Sequence, residues 1–528
     1  MKLKKAISFL LTAATAVSML AGCGSSSSAT STVASAAAST ASTAASTASA
    51  AASSAGSTAA SSDGSYDMVM EIINLGTDDA DLQEVQDAVN KITEPKTGVH
   101  VTFKTVAISE MATKLSLLAA SGEKMDLVQA GLLNTPSALA SQGLIVPMTN
   151  YLSDSLKEKA GKLLNACTIN GEVYAYPGTL YCGKKRSLLY DTDLAKQYNI
   201  TVPTALKTAE DWDNLFSQVK NSGMSQYAIS LGDGVAAENS YNFFENLGDT
   251  TYVSYGVVMD ADKSTTIENY YATDLYKEVC DMHRDWMEKG YALPDSISNG
   301  YTTMDTMQQG QVFSFATQTG TGASEAYFSA VTGKNLASIP IGDDVSIIDP
   351  SAILNTAWGI SSTCENPQKV CDFLNLLYND DELATLMNYG IEGKHYVTTE
   401  GSRIVNYPDG VTSANCGYGS FIGTYGDMTN QYFRAPLTDD FVSKISDYGV
   451  EKGKCSKFLG YTFDTSSISS QLSAVVAVIG QYGPALDCGT VDTASTLPEF
   501  ISALESAGMN DIIAENQKQL DAWLATQK

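Results

Sequence analysis

The chain has 528 residues, 44% of them hydrophobic, with 59 Asp and Glu against 32 Lys and Arg and a formal charge of −27. That length exceeds one ordinary domain and is enough for two with full cores. The acidic balance argues against nucleic acid and against docking on anionic lipid, because both need clustered Lys and Arg.

Lys2, Lys4 and Lys5 precede an uncharged run, 6–20, and then Leu20-Ala21-Gly22-Cys23. A basic start, an apolar stretch and small residues are the layout of a secretory leader. The run is too short and too rich in Ala, Thr and Ser for a span, which needs ~20 predominantly apolar residues. The Leu-Ala-Gly-Cys stretch resembles the lipobox of bacterial lipoproteins. That resemblance implies a leader over 1–22 and a diacylglyceryl thioether on Cys23, with the acyl chains (palmitate among them) that make anchoring stable. Residues 24–65 are almost wholly Ser, Ala, Thr and Gly, with Val33 and Asp63 the exceptions. Such a segment buries too little apolar surface to offset its ordering entropy. As a coil it would span about 35 Å, so 23–65 reads as a tether between lipid and a working part that starts at Tyr66.

From there the pattern alternates. Met68–Asn74 reads as a strand, and a helix with Leu82, Val85, Val89 and Ile92 on one face is expected to stop at Pro95. Val99–Val106 alternates like a strand, Met111, Leu115 and Leu118 mark a helix ending at Gly122, and Asp126–Ala130 is a short buried strand. This order predicts an α/β class with a wound, mostly parallel sheet. Asn170-Gly171 is a hairpin signal. Thr208, with Asp211 three residues on, caps a helix whose Trp212, Leu215, Phe216 and Val219 share a face. A second α/β block runs through 226–231, 276–289 and 307–315. Trp358 sits in a further strand, and Asn366-Pro367 opens the helix of Val370, Phe373, Leu374 and Leu377. Residues 398–449, rich in Gly, Asn, Asp and Tyr, read as long loops. The last helix turns Ile513, Leu520, Trp523 and Leu524 inward.

These residues carry a resemblance. Ala175-Tyr176-Pro177 through Leu189-Tyr190-Asp191, Gln309-Gly310-Gln311-Val312, and Ile360 through Pro367 resemble segments of bacterial extracellular solute-binding lipoproteins, the capture subunits of ABC importers, in the oligosaccharide or maltose-binding-like group. Residues 388–397, Phe463-Asp464-Thr465 and Gln481-Tyr482-Gly483-Pro484 resemble a subgroup with an extra C-terminal domain of undefined role. The resemblance implies a two-lobed type II periplasmic-binding-protein-like fold with a hinge-bounded cleft and a helical C-terminal extension. The first lobe would comprise 66–183 and 343–397, and the second 184–342. Residues 398–528 would complete the second lobe and form the extension. It also implies a monomer, lipid-anchored on the outer (or periplasmic) face of the cell membrane, touching the membrane through the anchor alone. Ligand and importer membrane subunits are the implied partners.

Sugars offer apolar C–H faces and a rim of hydroxyls, so a site needs aromatic platforms and a few fixed polar groups. Family position and strand-end loops make Trp358, Tyr181, Asp78, Asn134, Arg186, Tyr241 and Gln318 the candidates, although each could equally pack or cap. The expected mechanism is hinge closure on a polar solute, an oligosaccharide, with no catalysis, cofactor or metal. A surface-anchored glycan hydrolase working through a carboxylate pair is the alternative. With 59 acids such pairs are unavoidable and decide nothing. No Gly-x-Ser-x-Gly, His-Glu-x-x-His or phosphate loop occurs, and His100, His283 and His395 stand far apart. The eight cysteines after Cys23 form no C-x-x-C pair, which leaves disulfides and buried thiols both open.

Overall fold

A computed structural model describes residues 65–527, except 75–78, 108–109, 132–134, 232–243, 248–255, 295–300, 321–323, 355, 414, 420–424 and 430. Two six-stranded sheets organise the chain. In the first, Val99–Ala107, Tyr66–Asn74 and Leu127–Gln129 run parallel, as strand–helix alternation predicts. Ala357–Ser361 then returns antiparallel to Leu127–Gln129, with Ile145–Val146 and Ala175–Pro177 along its other side. The second sheet is mixed. Lys184–Asp191 lies between Val312–Gly320 and Leu336–Pro340, both antiparallel to it, and Tyr227–Ser230 adds parallel to Val312–Gly320.

The helix Leu82–Thr97 shows how the first sheet's edge is closed. Its apolar face is buried at Val85 and Val89, but Gln86, Asn90 and Thr93 are buried too. Asn90 accepts from Val101 N–H at 2.7 Å and donates to Val101 O at 2.9 Å, while Gln86 accepts from Phe103 N–H at 2.7 Å. Thr93 donates to Val99 O at 2.8 Å. Side chains thus occupy the ladder positions that an edge strand leaves open. Pro95, expected to stop this helix, does not. It lies in the last turn, where it removes a single N–H donor and leaves the turns before it intact, and the stop is Gly98 in the left-handed region at φ 64°, its N–H bonded to Glu94 O.

Thr208 and Asp211 form a reciprocal capping box on the helix Ala209–Asn221. Its Trp212 packs 5.1 Å from Trp286 and 5.5 Å from Phe216, forming the centre of the second sheet's core. Asn366 accepts from Lys369 N–H, with Pro367 first in the helix Pro367–Leu377. Asn170 and Gly171 take positive φ, 51° and 84°, in the turn joining Thr168–Ile169 to Glu172–Val173.

Residues 398–449 hold more regular structure than their composition suggests. Val397–Thr398, Ile404–Asn406 and Phe433–Arg434 make a three-stranded sheet, while Tyr418 and Tyr425 are buried in the first sheet's core. Helices Ser469–Asp487, Thr493–Ala507 and Met509–Thr526 end the chain. They share a core of Tyr270, Tyr271, Tyr276 and Phe500 with the helix Asp274–Lys289. None of the described helices is long and apolar enough to cross a membrane. All eight described cysteines carry free thiols.

Glu71, in the first strand, is 2% exposed and accepts the Gln129 N–H at 2.9 Å. Burial raises its pKa to about 7, although that hydrogen bond works the other way. A carboxyl whose pKa rises on folding binds its proton more tightly in the native state. The contribution of Glu71 to stability is therefore most favourable below the unfolded value near 4.5 and falls as pH climbs to about 7. Glu71→Gln is expected to gain at most about 3 kcal/mol above pH 7 and almost nothing below pH 4.5, as urea unfolding across that range would show. An equal effect at both ends would rule out titration of Glu71 as the cause.

Candidate functional site

Three chain segments pass between the two sheets, and they meet at one place. The first, 178–183, follows Ala175–Pro177 and leads into Lys184–Asp191. The second, 341–356, returns to Ala357–Ser361 and contains Ile347–Ile348. The third, around 449–456, contains Lys454–Cys455. Ile347–Ile348 bridges Lys184 on one side and Lys454–Cys455 on the other, so all three crossings join the second sheet's edge.

The junction is packed at backbone distance. Gly183 N–H donates to Tyr448 O at 2.9 Å, Ser346 Oγ to Asp447 O at 2.6 Å, and Lys454 N–H to Ser346 O at 2.7 Å. A Cβ on Gly183 would lie 2.8 Å from Tyr448 O and 2.9 Å from Ser346 Cβ. Lys185, just beyond the first crossing, reaches toward the other two: its Nζ is 3.0 Å from Asp344 and lies over the Tyr448 ring.

Around this junction stand four of the sequence candidates. Gln318 is exposed and lies directly opposite half-buried Arg186 across the ladder, so both side chains share one face of the second sheet. Burial lowers the Arg186 pKa to about 10, while Tyr270 and Asp349 act in the opposite direction. Half-buried Tyr181, in the first crossing, has its pKa raised by burial and by the Asp427 carboxylate. Burial works against ionised Asp427, but Lys159 at 2.7 Å and Thr429 keep its pKa below the usual range. Trp358 is fully buried. Its ring stacks on that of Tyr425 at 5.6 Å and 25°, and the strand places it between Gln129 and Tyr176. In this conformation the indole has no face to offer a solute, contrary to the platform role expected of it. Asp78, Asn134 and Tyr241, like the lipidation candidate Cys23, lie outside the described residues.

Tyr425, Asp427 and Tyr448 escaped the sequence reading. They belong to the Gly- and Asn-rich stretch, where no periodicity marks a face, and Tyr425 meets Trp358 across 67 residues of chain. Thr356 escaped as well. Its Oγ1 is buried without a hydrogen-bond partner, as are Trp358 Nε1 and Tyr425 Oη, so this wall contains polar groups not yet satisfied. No group of three or more His, Cys, Asp or Glu among the described residues could hold a metal.

The family description "bacterial extracellular solute-binding protein" matches residues 87–395, more than half the chain. The chain belongs to that family. This solute-binding protein also matches, over 457–525, a domain of unknown function. A curated relative from Streptococcus pneumoniae serotype 4, a carbohydrate ABC transporter substrate-binding protein, is 24% identical over 469 residues, covering 87% of this chain and 92% of the relative. The crystal structure of an N-glycan transport solute-binding protein from S. pneumoniae superposes with TM-score 0.70 at 24% identity, covering 88% of this chain and 100% of the other. A human-milk-oligosaccharide-binding, ABC-transporter-associated protein from Bifidobacterium longum infantis gives 0.58 at 15%, over 87% and 99%. The fold is thus the two-lobed type II fold, with a helical C-terminal region. The family binds solutes and does no chemistry on them, which decides against a hydrolase.

Proposed function

We propose that this solute-binding protein captures an oligosaccharide between its two sheets and delivers it to the membrane subunits of an ABC importer. The observation that carries this reading is the meeting of three crossings beside a shared polar face. Two lobes joined in that way can close on a ligand that bridges them, by its differential affinity for the closed form. Resemblance supports the saccharide assignment, since two further structures of the S. pneumoniae protein are complexes with Man1GlcNAc and Man5GlcNAc, at TM-scores of 0.59 and 0.56.

Within the cleft, Tyr181 would offer an amphipathic ring, and Gln318 and Arg186 would donate to hydroxyls. Asp78, Asn134 and Tyr241 would contribute from strand-end loops. Trp358 would support the wall from behind Tyr425. The lobes would divide as 66–183 with 343–397, and 184–342; the stretch after 397, expected to complete the second lobe, instead sends Tyr418 and Tyr425 into the first sheet's core, and the helices from Ser469 onward would form the extension. Ahead of them, the leader 1–22 would be removed and acylated Cys23 would hold a monomer on the outer or periplasmic face of the membrane through the 23–65 tether.

The deciding experiment is a thermal-shift screen of the protein against oligosaccharides, monosaccharides and short peptides, with recovered ligand checked for breakdown. A ligand that binds only the native form raises the melting temperature by mass action. A saturable rise with intact oligosaccharide is expected. Peptides alone shifting it would overturn the saccharide assignment, and fragmented ligand would overturn the binding role.

A further inference from the structure

The third crossing leads straight into residues 457–525, the stretch matched to a domain of unknown function. It opens on Phe458-Leu459-Gly460-Tyr461, four residues whose side chains part toward two different cores. Leu459 is buried in the first sheet's core, in one cluster with Leu163 and Cys167 of the first lobe. Phe458 and Tyr461 are buried in another cluster, with Leu247, Val258 and Ile267 of the second lobe and Leu520 of the last helix. Gly460 stands between them at φ 99°, where glycine is favoured. A Cβ there would lie 2.6 Å from Asn165 O of the first lobe and 3.6 Å from Trp523 of the last helix. The four residues form a pin with one side seated in each lobe.

The helix Met509–Thr526 holds the pin from behind. Tyr461 Oη donates to Asn516 Oδ1 at 2.6 Å, and the Tyr461 ring lies 5.9 Å from that of Trp523. Asn516 is wholly buried, and its Nδ2 donates to Leu247 O at 3.1 Å. Both hydrogen bonds are shut away from water, where an unmade polar contact is costly. Leu247 follows the strand Glu245–Asn246, and buried Glu245 accepts the Lys457 N–H at 2.9 Å. The adjoining Ser456 N–H donates to Ile348 O of the second crossing at 2.8 Å. The last helix is thereby linked, through the pin and the second lobe, to the junction of the crossings. A hinge works through a few residues that absorb the rotation, so a chain anchored in both cores beyond Ser456 leaves 449–456 to turn.

We propose that the C-terminal helices clamp the hinge: by seating the 458–461 pin in both lobes they confine rotation of the third crossing to 449–456 and set the angle through which the lobes open. This positioning role rests on the closure reading above and not on which solute is captured. The test is the distance between spin labels at Leu117 and Glu210, exposed sites on the first and second lobes, in the unliganded protein. The labels enter through an unnatural amino acid, because the free thiols rule out cysteine coupling. One narrow distance distribution is expected. Tyr461→Phe, which keeps the ring and removes the bond to Asn516, should about double its width, as should Leu459→Ala, which empties the first-lobe seat. Phe500→Leu, in the separate core of the C-terminal helices, should lower the melting temperature and leave the distribution unchanged. If Leu459→Ala fails to fold, Tyr461→Phe decides alone. A broad distribution in the wild type, one unmoved by the pin variants, or one broadened equally by Phe500→Leu would overturn the inference and leave the region a stabilising role only. Failure of the saccharide reading would appear elsewhere, as no response to any saccharide in the thermal-shift screen, with the distance result unaffected.

Discussion

Replacing Trp358 with alanine is expected to cost about 3–5 kcal/mol of stability, the range for removing a large buried aromatic. The indole is wholly excluded from solvent, stacked on Tyr425, and fixed in register between Gln129 and Tyr176. The strands that flank it are held on both sides, so the site cannot collapse to fill the void. The loss should be confined to the first sheet, because the core around Trp212 and Trp286 is a separate cluster. Denaturant-dependent hydrogen exchange would localise it to strands Tyr66–Asn74 and Leu127–Gln129. A change below about 1 kcal/mol accompanied by lost ligand binding would instead mean that the indole touches solute, as its place in the sequence first suggested.

Gly183→Ala is expected to weaken ligand binding by tenfold to a hundredfold. The added methyl would sit 2.8 Å from the Tyr448 carbonyl oxygen and 2.9 Å from Ser346 Cβ, one neighbour in each of the other two crossings. The carbonyl is backbone and accepts the Gly183 N–H, so relief requires the crossings to move apart. Overpacking of this kind costs about 1–3 kcal/mol, and each 1.4 kcal/mol withheld from the closed form is a factor of ten in affinity. Titration with the tightest saccharide from the screen would measure it, beside the melting temperature of the unliganded protein. Unchanged affinity with a lowered melting temperature would show that the junction only holds the lobes together and takes no part in closure.

Where side-chain period and cap chemistry are local, the residues announced the structure. Thr208 with Asp211, Asn366 with Pro367, and Asn170-Gly171 each need only their own neighbours to act, and each stands where it was read. The helix Leu82–Thr97 is an intermediate case. Its apolar face was legible, but its buried Gln86, Asn90 and Thr93 make sense only against the open edge of Val99–Ala107, and Pro95 was misread because one late proline removes a single hydrogen bond without undoing the turns before it. The α/β class, the tether composition and the acidic balance followed from the chain alone, since each is a property of composition or short-range order. Tertiary structure alone decided the rest. Gly183, Ser346, Lys454 and Tyr448 are remote in sequence and meet only when three crossings are drawn through one gap. Trp358 reads as a platform until Tyr425, from a stretch without period, covers it. Contacts of that kind are selected by packing between distant segments, which no local pattern encodes.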